Sequence, residues 1–440
     1  MSLFGALNTA VSGLSAQSTA FGNISENVAN SQTTGYKEVD TNFEDYLTTS
    51  TATDNEPGSV TALPSYSNNV QGTVTQSTDP LAMAISGQGF FAVSETAGTG
   101  STGTTQFNPQ TFYTQAGDFQ MNSSDYLVNG AGQYLQGWAV NPQTGVADQS
   151  VLAPIQITQT QYNPVPTSTI DLAANLPATP ATNTPVSSQI QVYDALGNAQ
   201  TLTLGWTQNS ANDWTVTISS PNATPATLGT AEVQFGAASA SDNPVGTVPA
   251  GTIGSFGTLT GGVTATTYGA NQPASLTLNT NFGSGSQAIN LTMGDFGEAN
   301  GVTQFAGTSY SQGSLSQNGV APGAFTGISI TGAGSVVANY NNGQTETVAQ
   351  VPITTFSAPD SLQSQNGQAF TATLNSGNAI TQAEGTNGAG SLIVGSVESS
   401  NVDIATQFSD LIIAQQAYGA NAKVVTTADQ LLQTTINMLQ

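Results

Sequence analysis

Carboxylates are almost the only side chains in this sequence that could carry out chemistry. The 440 residues include 26 Asp and Glu and two Lys, but no Arg, His or Cys. This composition excludes disulfides, thiolate nucleophiles and the usual imidazole base. Two carboxylates suffice for glycoside hydrolysis, and Asp118, Asp194, Asp213 and Asp295 lie near predicted turns. The sequence pairs no two of them, and an Asp in a turn commonly caps that turn, so we expect no enzyme.

Sites for metals, cofactors, nucleic acid or membranes are not predicted either. Gly-Asp and Asn-Gly turns could bind calcium, but the roughly 12-residue calcium loop is missing. The turn 87–89, Gly-Gln-Gly, lacks the third glycine and the Lys of a phosphate-binding loop. A net charge of −24 with only two cations excludes a nucleic-acid surface and disfavours anionic membranes. No apolar run reaches the roughly 18 residues of a membrane span.

The C-terminal stretch 401–440 carries a coiled-coil pattern. Steps of four and three residues predict a helix of roughly 50 Å. Asn401 or Ser400 is expected to cap this helix, with Asp403 in its first turn. Gln415 and Asp429 interrupt the seam, and such polar positions either fix the register or face a water-filled channel. The apolar seam positions are Ile404, Phe408, Leu411, Tyr418, Ala422, Val425, Leu432, Ile436 and Leu439.

The N-terminal stretch 1–30 repeats this rhythm, broken only at Gln17. An amphipathic helix alone in water exposes its apolar seam residues to solvent. We therefore expect each terminal helix to pack against another helix along its seam. Pairing as a hairpin within one chain and pairing between copies both fit the pattern. The N-terminal seam positions are Leu3, Leu7, Ala10, Leu14, Phe21, Ile24 and Val28.

Between the helices the sequence predicts nested β-structure, because short apolar runs alternate with Gly, Asn and Pro turns. The predicted fold class is mainly β with α-helical coiled-coil termini, the β-domains being looped out between the paired helices. Residues 43–47 could form one short helix. The predicted ranges are 1–30 and 401–440 for the helical domain, 31–77 and 384–400 for extended linkers, 78–157 and 303–383 for one β-domain, and 158–302 for an inserted β-domain.

Three stretches resemble the axial rod and hook proteins of the bacterial flagellum. NISENVANSQTTGYKE (23–38) is similar to the N-terminal signature of these subunits, and 396–432 is similar to their C-terminal motif. The stretches 85–93 and 113–138 resemble their shared β-domain, while 191–216 resembles the inserted domain of hook proteins. The motif residues are Asn27, Ala29, Asn30, Thr33, Thr34, Gly35, Lys37, Ser400, Asn401, Val402, Asp403, Gln415, Asn421 and Lys423.

The sequence departs from the family pattern in its basic residues. Gln115 stands where the family usually has Arg, and a second Arg expected near Ala417 is missing. We expect polar hydrogen bonds to replace the family's salt bridges. The two lysines each lie in one terminal motif, and each is expected to pair with a carboxylate of its own chain or of a neighbour. Candidate partners are Glu26, Glu38 and Asp403, and the alternative for each lysine is a solvated position.

The resemblance implies a structural subunit that polymerises helically into the flagellar hook, a curved hollow universal joint carrying motor torque to the filament. The helices would line the inner tube, with the shared β-domain in the middle layer and the inserted domain outside. It further implies an extracellular location, export without a cleaved signal peptide, and contacts with the rod, the hook-filament junction proteins and the hook cap. The alternatives are a distal rod subunit and a secreted β-rich adhesin or surface-layer protein.

Overall fold

The computed structural model describes residues 3–50, 55–99, 105–142, 144–180, 185–236, 248–269 and 271–438. The chain divides into two compact units. The first comprises Met1–Gln159, Thr326–Asn339 and Thr345–Gln440, and the second comprises Thr160–Phe325 and Tyr340–Gln344. Helix α1 (Leu3–Ala29) and helix α2 (Ile404–Met438) both belong to the first unit. The predicted class, mainly β with a helix towards each end, is confirmed.

The strands are numbered in chain order. Those before the second unit are β1 (Val39–Ser50), β2 (Asn55–Tyr66), β3 (Val74–Gln76), β4 (Met83–Ser86), β5 (Phe91–Ser94), β6 (Thr96–Thr99), β7 (Thr105–Phe107), β8 (Phe112–Thr114), β9 (Gln120–Met121), β10 (Leu127–Val128), β11 (Tyr134–Ala139) and β12 (Ala153–Pro154). Those of the second unit are β13 (Thr169–Asn175), β14 (Val186–Tyr193), β15 (Ala199–Ser210), β16 (Asp213–Ser219), β17 (Thr227–Phe235), β18 (Ile253–Gly261), β19 (Val263–Ala265), β20 (Pro273–Asn281), β21 (Ser286–Asp295), β22 (Val302–Thr303) and β23 (Ser311–Gln317). The remaining ones are β24 (Phe325–Ile330), β25 (Ser335–Tyr340), β26 (Thr345–Gln350), β27 (Ile353–Thr355), β28 (Gln363–Gln365), β29 (Ala369–Thr371), β30 (Ile380–Gln382), β31 (Ser391–Val394) and β32 (Ser396–Glu398), with a 3₁₀ turn at Pro359–Ser361.

The first unit is built on one large sheet and several small ladders. The large sheet runs β24-β25-β26-β11-β5-β8-β29-β28, with β9, β10 and β12 attached near β11. Phe90 lies in its core and meets Phe356 and Phe370 edge to face, at ring-centroid distances of 5.9 and 5.8 Å. Segments far apart in sequence close the unit, because β3 pairs with β32 and β4 pairs with β31.

A β-hairpin replaces the short helix that was predicted at 43–47. Strands β1 and β2 pair antiparallel from Val39↔Tyr66 to Ser50↔Asn55. The helix prediction was wrong because the side chains of 42–47 are all exposed, so no buried alternation marks this strand in the sequence. Its pairing comes from β2 and not from a local pattern.

The second unit contains two sheets that share one core. One runs β14-β15-β16-β17-β18, and the other runs β19-β20-β21-β13-β22 with β23 also paired to β13. Trp206, Val216, Leu276 and Leu291 lie in this core, fully buried. Strand β16 alternates buried and half-buried residues along its whole length, as a sheet with one buried face requires.

The second unit extends further along the chain than the sequence analysis predicted. The first β-domain was expected to resume at residue 303. Instead β22 pairs in parallel with β13, and β23 pairs antiparallel with β13 from Ile170↔Gln317 to Asn175↔Ser311. The second unit therefore continues to Phe325. The short segment around β22 has too weak a pattern to show which sheet it joins.

Candidate functional site

Helices α1 and α2 lie antiparallel against each other. Near the end of α1, Asn27 Nδ2 donates a hydrogen bond of 3.0 Å to Gln407 Oε1. Further along, the rings of Phe21 and Tyr418 meet edge to face at 6.2 Å. Gly13 faces Asn421, and a Cβ at Gly13 would lie 2.8 Å from Asn421 Nδ2. Within the described ranges, no helix is long and apolar enough to cross a membrane.

The covered face of α1 consists mainly of small residues. The hairpin packs beside it, because Thr9 Oγ1 donates to Gly58 O at 3.0 Å and Val60 N donates to Ser12 Oγ at 3.1 Å. The predicted seam residues Ala10 and Ile24 are buried, and Leu7, Leu14, Phe21 and Val28 are half-buried. The side chain of Leu3 lies outside the described part. Asn27, a predicted motif residue, is also buried on this face. Sequence reasoning missed its remaining buried residues, which are Gly13, Ala16 and Ala20.

The face of α2 that contacts α1 includes one column of the predicted seam but not the other. Of its 35 residues, only Gln407, Ala414 and Ala428 are buried. One column of the predicted seam, with Leu411, Val425 and Leu432, is half-buried and faces inward, as is Ala422. In the other column the prediction is off by one residue. The buried residues Gln407, Ala414 and Ala428 each lie one position before a predicted one, namely Phe408, Gln415 and Asp429. Ile404, Phe408, Gln415, Tyr418 and Ile436 are exposed, and Leu439 lies outside the described residues.

Asn27 joins the two helices to the chain segment between α1 and β1. Its Nδ2 also donates to Val39 O at 3.1 Å, while its Oδ1 accepts from Tyr36 OH and Val39 N, both at 3.0 Å. Both hydrogens of Nδ2 and both lone pairs of Oδ1 are thus used, as burial of an amide demands. The chain turns at Gly35, with φ of 69°, where a Cβ would lie 2.4 Å from Ala116 N. Only glycine fits there.

Lys37 forms a buried ion pair with Glu398. Its Nζ lies 2.6 Å from Glu398 Oε1 and also donates to Val70 O at 2.7 Å. The side chains are 2% and 1% exposed, and Gly72 N donates to the same Oε1 at 2.7 Å. Burial lowers the pKa of Lys37, while the carboxylate of Glu398 opposes that shift.

This pair corrects the predicted partners of Lys37. Glu38 instead accepts a hydrogen bond of 2.6 Å from Gln407 Nε2, and burial together with Asp40 and Asp410 raises its pKa. The β3–β32 ladder carries Glu398 to Lys37 from a point 361 residues further along the chain, which no local pattern reveals. Lys423 is exposed and makes no ion pair within the part of the chain that the structure describes.

The residues at the start of α2 are hydrogen-bonded to the segment between α1 and β1. Asp403 Oδ1 accepts from Ala405 N at 2.8 Å and from Thr406 N at 3.3 Å, so Asp403 caps the helix. The predicted caps were wrong, because Asn401 Oδ1 accepts from Glu38 N at 2.8 Å and Ser400 Oγ accepts from Val402 N. Among the other motif residues, Thr33 Oγ1 donates to Asn30 Oδ1 at 3.1 Å, Thr34 and Val402 are half-buried, and Ala29 is exposed.

The four candidate carboxylates do not meet. Asp194 accepts from Leu196 N and Asn198 N in an Asx turn, and Asp295 and Asp118 also make local contacts. Asp213 neighbours Glu232 instead, and burial and that carboxylate raise the pKa of Asp213 to about 6. Across the described ranges, no three Asp or Glu residues cluster tightly enough to hold a metal ion.

Gln115, which replaces the family's usual Arg, is buried and makes a polar contact. Its Nε2 donates to Gly89 O at 2.9 Å. The side chain at this position thus makes a hydrogen bond to a backbone carbonyl. Of the motif residues, Asn27, Lys37 and Asn401 make the contacts that join α1, α2 and the segment 30–38. Ala29, Gln415 and Lys423 are exposed and lie outside these contacts.

Four family models match successive parts of the chain. They are described as flagella basal body rod protein (7–37), flagellar hook protein FlgE/F/G D1 domain (84–174), flagellar basal body protein FlaE D2 domain (154–320) and flagellar basal body rod FlgEFG protein C-terminal (393–438). A solved structure of Helicobacter pylori flagellar hook protein FlgE2 covers 72% of this chain and 98% of its own, with 14% identity and a TM-score of 0.45.

Curated relatives align with the chain from end to end. The flagellar hook protein FlgE of Rhizobium meliloti is 30% identical over 443 residues, with 100% of both chains covered. The FlgE proteins of Brucella abortus and Salmonella typhimurium are 28% and 29% identical, covering 100% and 98% of both chains. The chain therefore belongs to the FlgE family of flagellar hook proteins.

Proposed function

We propose that this hook subunit polymerises helically with copies of itself into a curved hollow tube, in which the terminal helices form the inner contacts as coiled coils. The observation that carries the proposal is the exposure of α2. This helix has apolar residues around its whole circumference, yet α1 covers only one side. Exposed apolar surface along a helix marks a contact site, so copies of the chain are expected to cover the exposed apolar residues.

Two exposed apolar stripes flank the side of α2 that α1 covers. Ile404, Phe408 and Ile412 follow one another at four-residue steps and form the first stripe. The second contains Ile413, Val424, Leu431 and Met438, separated by 11, 7 and 7 residues. These seven side chains are between 43% and 83% exposed. Contiguous apolar surface of this kind marks an interaction site, and the 7-residue steps suit packing against another helix.

A groove beside the helix pair offers a further contact. It has a volume of about 390 Å³ and lies between α1, β1 and α2. Ile24, Phe43 and Ile413 contribute apolar walls, and Asp40 and Asp410 contribute charge. Phe43 and Ile413 are 47% and 63% exposed. A helix stripe from a second copy would cover both side chains, which extends the seam beyond the helices.

Family membership supports the remaining features that we propose. The chain acts as a structural subunit and not as an enzyme, and it is exported without a cleaved signal peptide to the outside of the cell. The β-domains occupy the middle and outer layers around the helical tube. Besides its own copies, the subunit contacts the rod at one end of the hook, junction proteins at the other, and a cap during growth.

Electron microscopy and sedimentation of concentrated protein test this proposal. The double variant Ile413→Gln/Leu431→Gln removes apolar surface from the second stripe without touching the face that contacts α1. We expect it to abolish or greatly reduce sedimentable polymer while the monomer remains folded by circular dichroism. Gln416→Asn, an exposed polar change on the same helix, is the matched control and should polymerise normally. A chain truncated before Asn401 should remain monomeric.

The shape of the polymer separates the alternatives. Curved hollow tubes from the intact chain support the hook assignment, whereas straight tubes would favour a distal rod subunit. Polymers that form equally well in the stripe variant would place the assembly contacts elsewhere. Discrete particles from the intact and truncated chains, together with calcium-dependent folding, would favour a secreted adhesin or surface-layer protein.

A further inference from the structure

Two buried amide side chains in the first unit each retain an unpaired oxygen. Asn68 and Gln115 are 1% and 5% exposed. Their nitrogens are occupied, because Asn68 Nδ2 donates to Pro359 O at 3.0 Å and Gln115 Nε2 donates to Gly89 O at 2.9 Å. These bonds fix the orientation of both amides, since exchanging nitrogen and oxygen would set two acceptors against each other. None of the described residues donates to Asn68 Oδ1 or Gln115 Oε1.

Both side chains line one small cavity. It has a volume of about 20 Å³, and Pro359 and Gly89, the residues that accept from the two amides, also line it. A single water needs about 10–15 Å³ of such space and two to four polar partners. A buried carbonyl oxygen without a donor is destabilising. Two such oxygens on side chains that line one cavity therefore favour a ligand that donates two hydrogen bonds.

We propose that this cavity is a binding site for one ordered water molecule, which donates one hydrogen bond to Asn68 Oδ1 and one to Gln115 Oε1. Water has the right size and two donors, and it carries no charge into a site lined by neutral amides. The site does not depend on polymerisation.

The proposed water links two segments of the first unit that are far apart in sequence, one after β2 and one after β8. Asn68 follows strand β2, in a segment whose neighbouring carbonyls, of Ser67 and Val70, accept from Asn401 Nδ2. Gln115 follows strand β8 of the large sheet. The water therefore ties the segment that holds the start of α2 to the sheet, and acts as a positioning element for the terminal motifs.

A structure of the full chain at about 2 Å or better tests the proposal directly. We expect one density peak at hydrogen-bonding distance, about 2.7–3.2 Å, from both oxygens. A cavity without density would overturn the proposal. So would a peak with four or more close oxygen ligands, since that coordination indicates a cation.

A double-mutant cycle with Asn68→Leu and Gln115→Met gives a second readout. If one water bridges the oxygens, the first substitution removes most of the bridge, so the double variant loses less stability than the sum of the single variants. The expected coupling is at least about twofold in the unfolding equilibrium constant. Two unbridged acceptors repel each other, so a coupling of the opposite sign would contradict the proposal.

The control cycle combines Asn68→Leu with Gln136→Met. Gln136 is also buried and also has an unpaired oxygen, but it does not line this cavity. These two substitutions should therefore be additive. If a variant fails to fold, the density in the unmodified protein decides the matter alone.

Discussion

The buried ion pair shows how one residue position connects both ends of this chain. Only two of the 440 residues are cationic, and one of them, Lys37, is placed where water cannot reach it. Moving a charge out of water costs several kcal/mol unless a partner and further hydrogen bonds compensate. Glu398, Val70 and Gly72 provide that compensation. The two charges are compensated only when Lys37, near the N-terminus, lies against Glu398, near the C-terminus. The pair therefore favours one arrangement of the terminal segments over others.

Glu398→Gln is expected to lower the free energy of unfolding by about 3–5 kcal/mol, because it leaves the ammonium of Lys37 buried without a counter-charge. Chemical denaturation followed by circular dichroism measures the change. The double variant Lys37→Met/Glu398→Leu removes both charges and should lie much closer to the unmodified protein. Lys423→Met, at an exposed position, is the control and should change stability by less than about 0.5 kcal/mol. Equal losses in the control and in Glu398→Gln would disprove the role of burial.

At the scale of elements, sequence periodicity predicted where helices and strands occur, but it did not predict which of their faces meet other elements. The four-three repeat predicted both helices, and short apolar runs between turn residues predicted the β-structure between them. The repeat did not predict which side of α2 meets α1, because every side of α2 offers apolar residues. Gly13 of α1 allows close approach to the side of α2 that carries Asn421. Likewise, none of the side chains of residues 39–47 in β1 is buried, so this part of the sequence carries no strand signal.

Gly13 provides a test of this close approach between the helices. Gly13→Leu would drive its side chain into Asn421 and force the helices apart, so we expect a loss of about 1–3 kcal/mol from overpacking. Amide hydrogen exchange in α2 should become faster. Gly22 is the matched control, because nothing lies within 4 Å of a Cβ built there. Gly22→Leu should leave exchange in α2 unchanged and stabilise α1 slightly. Equal exchange in both variants would show that α1 does not hold α2.

At the scale of the whole molecule, the charge of the chain opposes the assembly that its helices favour. Each copy carries a net charge of −24, so neighbouring copies repel one another. The attractive contacts proposed above are apolar and do not depend on salt, because the exposed stripes of α2 carry no ion pairs. Low charge density, with 6% charged residues, also leaves few residues that could form specific ion pairs between neighbouring copies.

Salt should therefore promote polymerisation. Raising NaCl from about 20 to 500 mM shortens the Debye length from more than 20 Å to less than 5 Å, which screens the repulsion and leaves the apolar contacts intact. We expect the critical concentration, measured by sedimentation, to fall as salt rises. A critical concentration that rises with salt would instead mean that ion pairs between copies dominate. Lys423 is the available cation for such a pair, so Lys423→Glu would then abolish assembly, whereas under apolar assembly it adds only repulsion, which high salt reverses.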